Sequence, residues 1–504
     1  GVYSDGSATK TTFRGSDAKL ILGEGTVGLY SSKASDFGNV FEITDLNASI
    51  GNRAVFAYFG KTGNTTNDTV NITNNTLQNL TVSKMGTNSA VFYGANDTTI
   101  NIADNITANS TKFSDVDDTA QFLVSDKGNV NINSGKTLTS GLKTTISGLN
   151  KAVVTNNGTL ALAGKDGAIG IYSNDSTVTN NNVITTANDS SIAIYGKNGS
   201  TLKNGAAGQI TTSGISSVGM LSDQSTVENE AGGQITTLGT GSAGIYGTND
   251  STITNKGTLT TKATGSAGIY ANDSDATNAS GATITVEKGS SVGMYATSNK
   301  TKTIKNEGTI EVGNAANSTE EKSIGIYGKS TGGTLTLDND NIINIHNQKS
   351  IGIYAQKAGG NVVANNKLKI TSDTGSEEAI GVMAEDGATA NNTTSGIIEL
   401  KGKASVGMYG KGNSAITNEG NVKLTNTATD SKSVGMLANT GSATNKGTIE
   451  MLGGASAGMQ GLGGATITND ATTGVIKIKG DASAGIGLLS RVPLRRSGRK
   501  NRCH

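Results

Sequence analysis

Residues 242–261 read Ser242-Ala243-Gly244-Ile245-Tyr246, then Ser251-Thr252-Ile253-Thr254-Asn255, then Gly257-Thr258-Leu259-Thr260-Thr261. Each piece alternates aliphatic with small or polar residues, and β-branched residues are frequent, the pattern of short half-buried strands. Asn, Asp and Gly stand at the joints, where turns need them. Three strands in so few residues cannot bury an inward face alone. Stacking one coil on the next does so.

The same phrase recurs along the chain. Gly170-Ile171-Tyr172, Gly268-Ile269-Tyr270, Gly293-Met294-Tyr295, Gly325-Ile326-Tyr327, Gly352-Ile353-Tyr354 and Gly407-Met408-Tyr409 repeat its first part. Variants such as Gly219-Met220-Leu221 and Gly435-Met436-Leu437 fill the gaps. From Tyr172 to Gly487 the spacing runs from 23 to 32 residues and clusters near 25. A second column holds Asn156, Asn180, Asn204, Asn229, Asn255, Asn278, Asn306, Asn339, Asn365, Asn391, Asn418, Asn445 and Asn469. Its regularity points to a structural ladder, in which side-chain amides hydrogen-bond between coils and satisfy buried turn backbone.

The expected fold is therefore all-β: a parallel β-helix with three-strand solenoid coils of about 25 residues, about 18 coils in all, or roughly 85 Å of rod at the inter-strand spacing. Composition agrees. Hydrophobic residues are 34% and aromatics 4% of the 504 residues, there is no Trp, and Gly numbers 70. That suits a thin core repeated many times better than one thick core. A single Pro, a near-zero net charge of +1 and regularly placed Val, Ile and Thr argue against disorder. No run of 18 apolar residues offers a membrane helix.

Residues 1–149 read as a less regular part of the same β-helix, and 150–490 as its regular repeats. All eight Phe lie between Phe13 and Phe122, while Tyr3, Tyr30, Tyr58 and Tyr93 keep the rhythm, with Phe122-Leu123 and Leu149-Asn150 expected to continue it. Residues 491–504 break the pattern, with five of the seven Arg, Pro493 and Cys503. They read as a vector-derived or frame-shifted disordered tail. Without its six cations the body carries about −5, which does not suggest a nucleic-acid partner.

Ser291-Val292-Gly293-Met294-Tyr295, Ser323-Ile324-Gly325-Ile326-Tyr327-Gly328-Lys329 and Thr444-Asn445-Lys446-Gly447-Thr448-Ile449-Glu450 resemble the passenger repeats of the large fusobacterial type V autotransporter adhesins. The resemblance covers 150–487 well and 1–149 weakly. It implies a right-handed helix and a passenger exported through an outer-membrane barrel and displayed on the bacterial surface. It also implies virulence-related roles in coaggregation and host-cell attachment. The implied partners are host-cell surface proteins or glycans and partner bacteria. The stretch departs from that pattern in having no signal peptide, barrel or linker helix, so contact with the outer membrane is expected only through a barrel outside it. The lack of an internal Cys suits passage through an oxidising periplasm.

Little in the sequence suggests chemistry, and the expectation is a non-enzymatic adhesin with no metal or cofactor. A polysaccharide-processing β-helix enzyme would need clustered carboxylates or a base in a groove. Asp175, Asp223, Asp250 and Asp273 stack, but in Asn-Asp-Ser-Thr-like phrases typical of turns. Glu320-Glu321 and Glu377-Glu378 read as solvated loops, and His346 has no suggestive neighbour along the chain. A purely structural stalk is the remaining alternative. One local feature exceeds the repeat: the Tyr-to-Asn interval lengthens to 11 after Tyr295, 12 after Tyr327 and 11 after Tyr354. These insertions, 296–305, 328–338 and 355–364, with 313–322 between them, should emerge side by side. Per-repeat insertions often form a binding face. Lys300, Lys302, Lys329 and Lys357 would make it somewhat basic.

Overall fold

A computed structural model describes residues 1–4, 11–14, 17–31, 41–60, 69–314, 321–481 and 483–489. The segment 491–504 lies outside the described residues, as do Glu320 and most of the insertion 313–322. The chain is a parallel β-solenoid, and among the described residues the one helical element is the single turn Asn74–Leu77. Among the described residues, three faces hold 19, 16 and 15 stacked strands. A regular coil is Ala243–Thr248, Thr252–Asn255 and Thr258–Thr261. Every strand pairs in parallel with its equivalent one coil away, so like residues lie over like. Tyr246 and Tyr270 are opposite each other, with ring centroids 4.6 Å apart and planes within 6°.

The core is one side chain deep per face. Ile245, Ile253 and Leu259 point inward, at 0–1% exposure. Each such side chain contributes about 1.5–3 kcal/mol of burial. The glycine before each of these first-face residues serves close approach. A Cβ on Gly268 would stand 2.5 Å from Cγ2 of Ile284 and 2.7 Å from the carbonyl oxygen of Gly293. The same collision with the next coil awaits at Gly219, Gly244, Gly293, Gly325, Gly352 and Gly381.

All twelve Tyr occupy one outward slot of the first face. In the two coils between Tyr93 and Tyr172 that slot belongs to Val124 and Ser147, not to Phe122-Leu123 and Leu149-Asn150. Phe122 turns inward, against Phe92 and Phe113.

The N-terminal coils have a fourth side. The strands Lys19–Leu22, Leu46–Ile50, Leu80–Met85 and Phe113–Val116 form a sheet of their own. A four-sided coil encloses a wider core, and the largest fully buried side chains (Phe41, Phe56, Phe92 and Phe122) fill it. The coil type changes between Val116 and Gln121, ahead of the 149/150 division that residue usage suggested.

The asparagine column is a continuous hydrogen-bonded ladder. Nδ2 of each residue donates to Oδ1 of the next, from Asn156 through Asn180, Asn204, Asn229, Asn255, Asn278, Asn306 and Asn339, at 2.7–2.8 Å. It goes on through Asn366, Asn392, Asn418, Asn445 and Asn469 at 2.7–2.9 Å. Two coils correct the sequence reading: Asn366 and Asn392 are the fully buried members, whereas Asn365 and Asn391 face outward and bond to each other. Serines make parallel ladders at the corners. The N–H groups of Ser191, Ser217, Ser242 and Ser266 each donate to the serine hydroxyl one coil on, at 3.1–3.3 Å.

A buried threonine column is less well provided for. Thr186, Thr212, Thr237 and Thr261 lie in register on the third face, and their hydroxyls have no partner. The following rungs of the same column are Val286 and Val312. Thr212→Val is expected to raise stability by about 1 kcal/mol, because a desolvated hydroxyl is exchanged for an isosteric methyl. A higher urea midpoint would be the readout.

Candidate interaction ridge and groove

In the three lengthened coils the extra residues do not form loose loops. They extend the two strands on either side of one corner. The pairs become Val292–Ser298 with Lys302–Asn306, Ile324–Ser330 with Thr334–Asn339, and Ile351–Lys357 with Asn361–Asn366. Alternation continues through the insertions, so Ser298, Ser330, Leu335 and Val362 point inward and are buried. The corners stack: Thr331 N–H donates to the Ser298 carbonyl and Ala358 N–H to that of Ser330, both at 2.8 Å. The result is a ridge three coils long with its own core.

The shorter coil before the ridge supplies carboxylates where it has no strand to pair. Asp273 accepts from Asn299 N–H at 2.7 Å, and Asp275 from Thr303 N–H at 2.8 Å. Lys300 reaches Asp250 at 2.6 Å. Lys302, its side chain only 10% exposed, bridges Asp250 at 2.9 Å and Asp275 at 3.2 Å. Burial works against the Lys302 charge, but the two carboxylates outweigh it and its pKa is raised. This corrects the expected basic face, since two of the four lysines are neutralised by acids beneath them. Lys329 and Lys357 lie on ridge strands, opposite Thr297 and Ser330, and make no ion pair with a described residue.

A shallow groove lies beside the Tyr column. Its cavity of about 290 Å³ is lined by Ser242, Ala243, Ser266, Ala267, Tyr270, Val292 and Tyr295 among others. It exists because Ala243 and Ala267 stand side by side in a column where Val218 and Val292 flank them. The contrast of Ser-Ala-Gly with Ser-Val-Gly phrases is the sequence signal for it. Further along, burial pushes the Tyr327 hydroxyl up to about 12. The Tyr354 hydroxyl is raised by burial and by its hydrogen bond to Glu385.

Asp175, Asp250 and Asp273 occupy left-handed turn positions, with φ of 51°, 65° and 48°. Only Asp175 and Asp273 share a column: Asn249 stands opposite Asp273, with Asp250 one position further along the turn, and Asp223 lies outside it. Asp223 ends a strand opposite Lys197, and Gln224 takes the turn position. Among the described residues no group of His, Cys, Asp and Glu could hold a metal ion.

His346 is not isolated in space. Its Nδ1 lies 2.7 Å from Asp373 and its Nε2 2.8 Å from Glu311, one coil to either side. The bond to Glu311 raises the imidazole pKa to about 9, Asp373 adds to this, and burial opposes it. Because the folded value lies above the ordinary one, the bridge stabilises fully below about pH 6.5. Its contribution is lost as the pH rises through about 9. His346→Gln is expected to cost about 1–3 kcal/mol near pH 6 and little near pH 10, read by urea denaturation at both values.

Three overlapping stretches, residues 120–273, 265–396 and 367–490, match the sequence profile of the family described as the BigA third pectate lyase-like domain. The matched region begins just after the last four-sided coil and covers more than half of the chain. No curated protein and no solved structure matches it significantly.

Proposed function

Because this chain belongs to the family of the BigA third pectate lyase-like domain, we propose that it is the non-enzymatic passenger of an autotransporter-type adhesin, displayed on the bacterial surface. The family and the solenoid fit such a passenger. The ridge carries the adhesive reading: three coils depart together from the repeat and present a stacked, well-packed edge. Host-cell surface proteins, glycans or partner bacteria are the proposed partners, with the outer membrane reached only through a barrel elsewhere. The acids nearest the ridge are engaged by lysines and backbone N–H groups, which leaves them poorly placed for general acid–base work.

The test is binding of the purified chain to epithelial cells and to partner bacteria. It is compared with a variant whose three coils are shortened to the regular length by removing residues within 296–364. At least tenfold loss is expected. Undiminished binding would discard the ridge, and no binding by either protein would make the chain a stalk. The family's description favours a second reading, cleavage of an acidic polysaccharide. Release of unsaturated products from polygalacturonate with calcium would establish it in place of the first.

A further inference from the structure

We propose that the free edge of the strand Phe113–Val116 accepts one added β-strand, an extended segment of a partner protein held parallel to it, with Lys165 as a displaceable cap. The proposal stands on the fold alone and does not depend on the adhesive reading.

The fourth-side sheet ends abruptly. Phe113–Val116 pairs with Leu80–Met85 on one edge and with no described strand on the other. An unpaired edge offers a row of backbone donors and acceptors to any extended chain. The next two coils turn their corners without a fourth strand, at Gly141-Leu142 and Ala163-Gly164. Between these corners and the strand lies a cavity of about 170 Å³, also lined by Val116 and Lys165. This is the place a fourth strand would occupy if the four-sided coil continued.

The surroundings restrict what can enter. The other three faces continue past this level without a break, so a second solenoid cannot stack here. The shelf suits a single extended chain whose main-chain bonds supply affinity and whose alternate side chains supply specificity. The sheet's inward positions, Leu80, Val82 and Phe113, are buried, so the segment should carry apolar residues at alternate positions.

Lys165 reads as the guard of this edge. Its Nζ donates to the Val116 carbonyl oxygen at 3.1 Å and to Asp118 at 2.7 Å. It thus occupies an acceptor that an added strand's N–H would use. A lysine at an open edge is a common defence against unwanted pairing, and a side chain 32% exposed can swing away.

The probe is a fluorescein-labelled synthetic peptide with the sequence of residues 78–87, which already pairs in parallel with the other edge of this strand. It is titrated against the whole chain beside a version carrying Val82→Pro, which lacks a donor and breaks the extended run. Saturable binding of the first peptide and at least tenfold weaker binding of the second are expected. Lys165→Ala should tighten binding by about tenfold, since one hydrogen bond no longer competes. Ala163→Trp, at an exposed lining position, should abolish it by filling the cavity. Circular dichroism of both variants confirms folding. Absence of binding by Lys165→Ala, equal binding of the two peptides, or indifference to Ala163→Trp would each overturn the proposal.

Discussion

Asn255→Asp is expected to lower the stability of the coils around it by about 3–5 kcal/mol at neutral pH, more than Asn255→Ala at about 2–3 kcal/mol. The two side chains have nearly the same shape, so packing cannot account for the difference. In the ladder, Nδ2 of Asn255 donates to Oδ1 of Asn278 at 2.8 Å and to the Gly257 carbonyl at 3.2 Å. Its Oδ1 accepts from Asn229 at 2.8 Å. A carboxylate keeps the acceptor and loses the donor, so it faces the Asn278 oxygen with an unpaired charge at a fully buried site. Burial raises the pKa of such an acid above its unfolded value. The penalty should therefore shrink as the pH falls toward about 4, where the protonated form regains a donor. In a stacked array the damage stays local, because strand pairing and core packing join each coil to its immediate neighbours. Hydrogen exchange should show coils near 229–278 opening while distant ones keep their protection, with urea denaturation giving the magnitude. Uniform loss along the rod, or equal stability of the Asp and Ala variants at neutral pH, would contradict this account of the ladder.

Gly268→Val is expected to cost about 3 kcal/mol or more and to separate two neighbouring coils, with Gly268→Ala milder at about 1–2 kcal/mol. The cause is space. The added Cβ would meet Ile284 and the carbonyl oxygen of Gly293. That oxygen belongs to backbone held by strand pairing above and below, so it cannot retreat as a flexible side chain could. Ala193 stands in the same column between Gly170 and Gly219, fully buried. One methyl is thus accommodated where both neighbours are glycine, whereas the branched members of the column, Val91 and Thr145, stand next to Phe56 and Phe122 at the wider end of the rod and not between two glycines. Urea denaturation with hydrogen exchange across 243–296 reads the effect. A Val variant as stable as the parent would remove the close-approach argument.

The period made most of the fold legible. A parallel stack forces equivalent positions into columns, so Gly244-Ile245-Tyr246 and Asn255 announce their places by recurring. Legibility failed where a column can be satisfied by either of two adjacent residues. Asn365-Asn366 and Asn391-Asn392 each offer two candidates, and only strand alternation decides which one points inward. It failed again where coils change size. The fourth-side strands have no fixed spacing, and the abundance of Phe before residue 123 was the one trace of the wider interior they enclose. Relations between coils were hidden where residue types do not repeat: His346 meets Glu311 and Asp373 across 35 and 27 residues. The insertions were visible in the sequence. Their folding into strands, and the pairing of Lys300 and Lys302 with the acids below, followed from alternation that the interval lengths alone do not convey.

Every amide in the asparagine ladder points its hydrogen the same way, from Asn156 toward Asn469. A single amide dipole is about 3.5 D, and thirteen of them aligned head to tail give the rod an electrical direction that formal charges do not. One terminus of the row offers an oxygen and the other a hydrogen. Coils can therefore be added at either end in one orientation only, and an inverted coil would set like against like.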